Sequence, residues 1–307
     1  MKKYLLLLIL ISSAFISRAQ KYNLSLNLKK GETYSTISKA NTVINQMIND
    51  QPLDISMTIT GKMSYKVIGI RDSLYDMTAQ YDSLGFTMKM PNGELSSSSE
   101  KIDSSNIFGL LMSKLKNKPF KLTMSKTGKI SQVDGVEKMI DGLIAGMGSK
   151  LNDAQRAQMK SQMSNSFGTE AFRTSMEVYL TIFPGAKVAK DAKWVIDTKL
   201  KSTMVADVHT TYTLKDVTDQ YYLIAGDATI KTDPKTPAAT VNGFLIKYNM
   251  AGTNLTEIKA DKKTGWITEA HVVQNIKGNN EIQDNPQIPG GMTIPMTMNT
   301  NMTITDK

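Results

Sequence analysis

The sequence predicts an α+β protein: a long-stranded, strongly curved antiparallel sheet, half-barrel-like, with a central helical segment packed on one face. Three observations carry this. Apolar and polar residues alternate over runs longer than the usual five or six residues of a strand. Such runs fill two β-rich halves, at about 22–133 and 192–307. Between them, residues 135–183 place apolar residues at helical spacing, so one helical block divides the strands instead of alternating with them.

Residues 1–19 read as an address. Lys2 and Lys3 precede an unbroken apolar run from Leu5 to Ile11, and Ser17-Arg18-Ala19 places small residues where a signal peptidase cuts, between Ala19 and Gln20. The run is too short for a membrane anchor, and no later stretch is apolar enough to be a transmembrane segment. The expected mature chain, 20–307, forms one β-rich domain located in the periplasm or secreted. Cleavage removes Lys2, Lys3 and Arg18 from a formal charge of +9.

In the first β half, Leu53, Ile55, Met57, Ile59, Gly61, Met63, Tyr65 and Val67 are all odd, with a polar residue between each and the next: one strand with an apolar and a wet face. Tyr75, Met77, Ala79 and Tyr81 are odd, whereas Leu84, Phe86, Met88 and Met90 are even. The slip at Asp82-Ser83-Leu84-Gly85 predicts a bulge or a tight turn. Pro91-Asn92-Gly93 and Thr127-Gly128 signal turns, and Ser96 to Ser99 reads as a flexible loop. Ile107 to Leu115 is a short helix candidate.

The central block gives Val136, Met139, Ile140, Leu143, Ile144 and Met147 as one stripe. Asp153 is placed to cap the next helix, which carries Met159, Met163 and Phe167. Phe172, Met176, Tyr179, Leu180 and Phe183 continue until Pro184 ends the pattern. In the second half, Trp194, Ile196, Leu200, Met204, Ala206, Val208, Tyr212 and Leu214 are all even and read as one alternation. Tyr222 to Ile230, Trp266 to Ile276 and Met292 to Ile304 repeat it, with turns at Asp261–Gly265 and Pro289-Gly290-Gly291. Clean alternation implies antiparallel strands, and strands this long must twist and curl.

Composition excludes several chemistries. With no cysteine there is no disulfide framework, thiolate metal site, Cys nucleophile or lipid-modified Cys, so the chain is not a lipoprotein. Two histidines cannot supply a three-His metal site. The lysine clusters 29–30, 114–118 and 262–263 are not interleaved with aromatics, so no nucleic-acid partner is implied. His209 shares a wet face with Asp207, and His271 with Glu269, without a partner at diagnostic spacing. Asp72 with Asp76, and Asp227 with Asp233, are acid pairs whose distance only the fold can set. Asp284-Asn285-Pro286 lacks the calcium-loop alternation, and no Ser sits in a nucleophile elbow. Gly142, Gly146 and Gly148 superficially suggest a phosphate loop, but they lie in a helical stripe and read as close helix packing that stops at Gly148. No catalytic residue, metal site or cofactor emerges.

Methionine is the anomaly, at 20 residues. Thioethers sharing a strand face suit Cu(I), and they equally suit a pliable apolar interior. Met57, Met63, Tyr65, Met204, Met296 and Met298 are the candidate lining of a groove for an apolar small molecule or lipid. Asp72-Ser73-Leu74 and Asp82-Ser83-Leu84 are similar to the three-residue O-glycosylation signal of Bacteroidota.

Phe183-Pro184, Lys187-Val188, Asp191 and Trp194 resemble a pattern of uncharacterised secreted proteins of the Bacteroidota, with Lys190 where that family usually has Gly. The resemblance implies an envelope location and a β-rich fold, and carries over no catalytic residues. The strand-plus-helix layout is also similar to the lipoprotein-carrier half-barrel of LolA and its relatives. Three readings follow: a non-enzymatic envelope protein binding an apolar ligand in a curved-sheet groove, an interaction or structural module with a packed core and an envelope protein partner, or a hydrolase or Cu(I)-binding protein with an unrecognised site.

Overall fold

The structure, a computed structural model, describes residues 20–101, 107–146, 152–202, 204–241 and 243–307. The expected signal segment, including Ala19, and the Met147 and Gly148 readings lie outside these residues. Fifteen strands and four helices are described, in the order β1 (Lys21–Asn23), β2 (Thr33–Ile48), β3 (Gln51–Arg71), β4 (Leu74–Met90), β5 (Gly93–Ser98), α1 (Ile107–Leu115), β6 (Phe120–Ser125), β7 (Ile130–Asp134), α2 (Val136–Ala145), α3 (Asp153–Phe167), α4 (Thr169–Leu180), β8 (Lys187–Ala189), β9 (Lys193–Lys201), β10 (Val205–Val217), β11 (Tyr221–Thr232), β12 (Ala239–Val241), β13 (Phe244–Asp261), β14 (Ile267–Ile282) and β15 (Met292–Thr305). Every ladder between strands is antiparallel. β1 pairs with β8; the other thirteen strands form one sheet along the path β7-β6-β4-β3-β2-β15-β14-β13-β11-β10-β9, with β5 on β4 and β12 on β13.

β3 has 21 residues, roughly 70 Å at the rise of a strand. A sheet of such strands coils, and it curls without closing into a barrel. The core records the curl. Tyr65 and Val67 of β3, Met77 of β4 and Leu122 of β6 share one buried cluster with Tyr212, Ile224 and Ile258 of β10, β11 and β13. Leu24, Leu26 and Leu28 thread this core as an extended segment. The buried Tyr75 hydroxyl pins it, donating to the Leu26 carbonyl at 2.9 Å and accepting from the Leu28 amide at 3.2 Å.

The predicted slip in β4 is a bulge. Tyr81 pairs with Met63 and Ser83 with Lys62, so Asp82 is the extra residue. Its carboxylate accepts from Ser64 and Gln80. Two elements differ from the sequence expectation in this half. Ser96 to Ser99 is not a loop: it lies in and just after β5, which folds back on β4 and is held where the Leu84 amide donates to the Ser99 hydroxyl at 2.9 Å. And β2, whose inner positions carry Ser38, Ala40, Thr42 and Gln46, lacked the apolar alternation that marks a strand.

The even alternation from Trp194 to Leu214 is two strands, not one. β9 and β10 pair with Leu200 opposite Ala206 and Thr198 opposite Val208. Residues of like parity face each other, so the alternation passes through the turn unbroken. Asn152, not Asp153, caps α3: its side chain accepts from the Gln155 amide at 2.8 Å and Gln155 returns a bond to the Asn152 amide at 2.9 Å. α4 stops at Leu180, four residues before Pro184. A Cβ on Gly142 would meet nothing within 4 Å, so this glycine makes no close packing contact.

α4 lies between the two ends of the sheet path. At β7 the Ile130 amide donates to Glu177 Oε1 at 3.0 Å; at β9 the Lys201 amide donates to Thr174 Oγ1 at 3.0 Å. Helix side chains thus supply acceptors for amides at both edges. The β6–β7 turn approaches so closely that a Cβ on Gly128, at φ +90°, would sit 1.8 Å from the Leu180 carbonyl oxygen.

Burial pushes the phenols of Tyr65 and Tyr212 up to about 12, offset in part by the Thr36 and Thr210 hydroxyls. Below pH 10 both are neutral in the folded and unfolded chains, and their contribution is fully present. Between about 10 and 12 the unfolded chain sheds protons that the folded chain keeps, so stability falls as pH rises, by about 1.4 kcal/mol per pKa unit for each group. Urea midpoints should therefore decline over this window, with tyrosinate absorbance from these two residues appearing at unfolding. Full tyrosinate absorbance from a still-folded protein near pH 10 would contradict their burial.

Candidate functional site

Register places one inner-face row across nine strands: Met88, Met57, Thr42, Thr300, Gln274, Asn254, Ala228, Thr210 and Ile196. Its middle is polar. The Thr42 and Thr300 hydroxyls are bonded at 2.9 Å, and Thr42, Thr210 and Asn254 are buried. On one side of this belt lies the main core. A small cleft between the belt and α4, lined by Val178, Tyr179, Thr210 and Asn254 among others, has a volume of about 10 Å³, room for about one water molecule.

On the other side of the belt the inner face stays apolar but opens. Ala206, Val208, Ala228, Ile230, Met250 and Ile276 form a second buried cluster, with Val178 of α4, Met204, Tyr248, Met296 and Met298 packed against it. Beyond it Ile44, Ile55, Met292, Ile294, Ile246 and Ile282 are half-buried. Met90 is 41% exposed. Flexible and branched apolar side chains here face a partly wetted surface, where a packed core would bury them.

The six predicted groove residues do not form one set. Met204, Met296 and Met298 gather at the second cluster. Met57 lies in the belt row, between Met88 and Thr42. Met63 packs on the main core, and Tyr65 is 3% exposed inside it, against the Trp266 ring at 5.3 Å. Three polar residues on the open face escaped sequence reasoning: Gln46, Tyr248 and Asn280. Gln46 and Asn280 donate to the Met296 sulfur at 3.2 and 3.6 Å. Asn280 carries one sequence signal, a polar residue at an inner position late in the β14 run; Gln46 and Tyr248 lie in β2 and β13, which the sequence pattern does not mark as strands.

The titratable candidates sit elsewhere. His209 Nδ1 is 2.6 Å from Asp197 Oδ1, a cross-strand partner. His271 Nε2 is 2.9 Å from Glu269, which also receives Lys259 at 2.7 Å. Both histidines are exposed on the outer face and belong to separate rows. Asp76 is held below the usual carboxylate range by Arg71, which donates two bonds at 2.7 Å. The Asp233 side chain accepts from the Lys235 amide in a turn. Among the described residues no three metal-capable His, Asp or Glu side chains converge. None of their helices is long and apolar enough to cross a membrane.

Fold and site together define a class: an open antiparallel sheet whose inner face is part packed core and part half-buried apolar surface. Residues 72–267 match DUF6263, a family of unknown function, and the chain belongs to that family. No curated protein matches it. Among solved structures it is similar to lipovitellin, from a structure titled for lipid–protein interactions, at TM-score 0.49 and 9% identity over 92% of this chain and 25% of that one. It is also similar to an outer membrane channel from Pseudomonas putida F1, at TM-score 0.28 and 7% identity over 90% and 97%. The chain spans a quarter of the lipovitellin chain.

Proposed function

We propose that this protein binds an apolar small molecule or lipid on the half-buried inner face beyond the polar belt, without catalysing a reaction. The carrying observation is the apolar surface continued past the packed core, with Ile44, Ile55, Ile282 and Ile294 half-buried and Met90 exposed. Apolar area left in partial contact with water gains free energy when a ligand covers it, at roughly 25 cal/mol per Å². The site of action is outside the cytoplasm, a reading that rests on the sequence of residues 1–19. The mature chain 20–307 acts as one domain.

Two neighbouring substitutions on opposite faces test this. Ile55 points inward from β3, and Val43, 43% exposed, points outward from the adjacent β2. Ile55→Glu is expected to weaken binding of an uncharged probe, N-dodecyl dansylamide, at least roughly tenfold by placing a carboxylate against the tail. Val43→Glu should leave binding unchanged. Equal binding by both variants, or no binding by the unsubstituted protein, would remove the inner face as the site.

A further inference from the structure

We infer that the open face selects apolar ligands whose head group is uncharged and carries a hydrogen-bond donor, and that Asn280 reads that donor; the inference rests on the binding reading above. Asn280 Oδ1 is shielded from solvent and has no hydrogen-bond partner among the described residues. Its own Nδ2 is committed to the Met296 sulfur at 3.6 Å, which also accepts from Gln46 Nε2 at 3.2 Å. Each amide nitrogen thus has a partner for one of its protons, while the Asn280 carbonyl oxygen has none. A buried acceptor without a donor is costly, and most such groups in folded proteins are satisfied. A ligand hydroxyl, primary amide or protonated acid would supply the missing proton.

The surroundings fit a tail as well as a head. Asn280 lies in β14 directly opposite Ile294 of β15 and Tyr248 of β13, and two residues along, Ile282 faces Met292 and Ile246. A chain laid over these isoleucines brings its polar end to Asn280, beside the half-buried Tyr248 ring. A carboxylate head is disfavoured, because an anion brings no proton and meets a carbonyl oxygen.

The test compares 1-dodecanol with 1-methoxydodecane, which share a tail and differ in the donor, as competitors of an uncharged dansyl probe, N-dodecyl dansylamide, on the full protein. The alcohol is expected to bind about tenfold more tightly than the ether. In Asn280→Leu the two should bind alike, with the ether's affinity kept or raised. If the unsubstituted protein binds both equally, Asn280 reads no donor and the inference fails while the groove stands. If it binds the probe but neither competitor, the head-group selection proposed here is likewise wrong. If it binds no apolar probe at all, the groove reading itself fails.

Discussion

Trp266→Ala is expected to cost about 4 kcal/mol of folding stability, the largest effect of any single truncation at the inner face. The indole is 4% exposed. It packs on Tyr34 and Tyr65, each with ring centroids 5.3 Å away, and its Nε1 donates to the Ser35 carbonyl at 2.9 Å. Tyr34 and Ser35 belong to β2 and Tyr65 to β3, whereas Trp266 immediately precedes β14, with β15 between. One side chain therefore spans four neighbouring strands across the inside of the curl. Truncation removes the ring contacts, leaves a cavity that a curved sheet cannot easily collapse, and strips the Ser35 carbonyl of its donor. Trp266→Phe keeps most of the volume and loses the indole bond, so about 1–2 kcal/mol is expected. Urea titration followed by circular dichroism measures both. A loss below about 1.5 kcal/mol for the alanine variant would mean that the inner face does not close around Trp266.

The inward position of Trp266 was legible in the sequence because it shares even parity with Ala270, Val272 and Ile276; the irregularity at Thr268, which pairs Ile267 with Ala260 and buries Ile267 as well, was not. Shared parity likewise marked β3, β11 and β15. What was legible was the period; the partner and the turn were not. β9 and β10 merged into one alternation because their hairpin pairs residues of like parity, so chain reversal left no mark on the pattern. β2 and β13 were missed for the opposite reason. Their inner positions include Thr42, Gln46, Asn254 and Thr256, which look wet in sequence although Thr42 and Asn254 are buried in the belt. A strand carrying buried hydroxyls and amides reads as a polar segment until its neighbours supply hydrogen bonds.

The candidate site was legible only in part for the same reason. Methionine spacing singled out Met204, Met296 and Met298, which do share the second cluster. It also gathered Tyr65, because alternation assigns a face and says nothing about depth along a strand of 21 residues. Depth is set by what lies above the face. Over Tyr65 that is Trp266 and the packed core; toward Ile55 and Ile294 the face is only half-buried. Asn280, the residue with the unmet acceptor, was invisible because a single Asn in a strand is ordinarily taken as facing water.

Glu177→Leu is expected to destabilise the fold by about 2–4 kcal/mol, because α4 rather than another strand meets both edges of the sheet. Its side chain is 10% exposed, accepts from the Ile130 amide at 3.0 Å, and holds Arg173 at 2.9 Å. Leucine fills the space but accepts nothing, leaving a buried amide at β7 without a partner. Arg173 keeps its second partner, Glu170, at 3.0 Å, which limits the loss. Glu177→Gln retains an acceptor for Ile130 and gives up the charge, so a cost about half as large is expected. Thr174→Val makes the matching change at β9, where the Lys201 amide loses its acceptor, and about 1–2 kcal/mol is expected. Amide hydrogen exchange separates a seam from ordinary packing. Protection of Ile130 should fall in the leucine variant more than that of Leu122, deeper in the same half, and protection of Lys201 should fall in the valine variant. If both amides stay protected and the leucine variant loses less than about 0.5 kcal/mol, the edges are held by something other than these helix side chains.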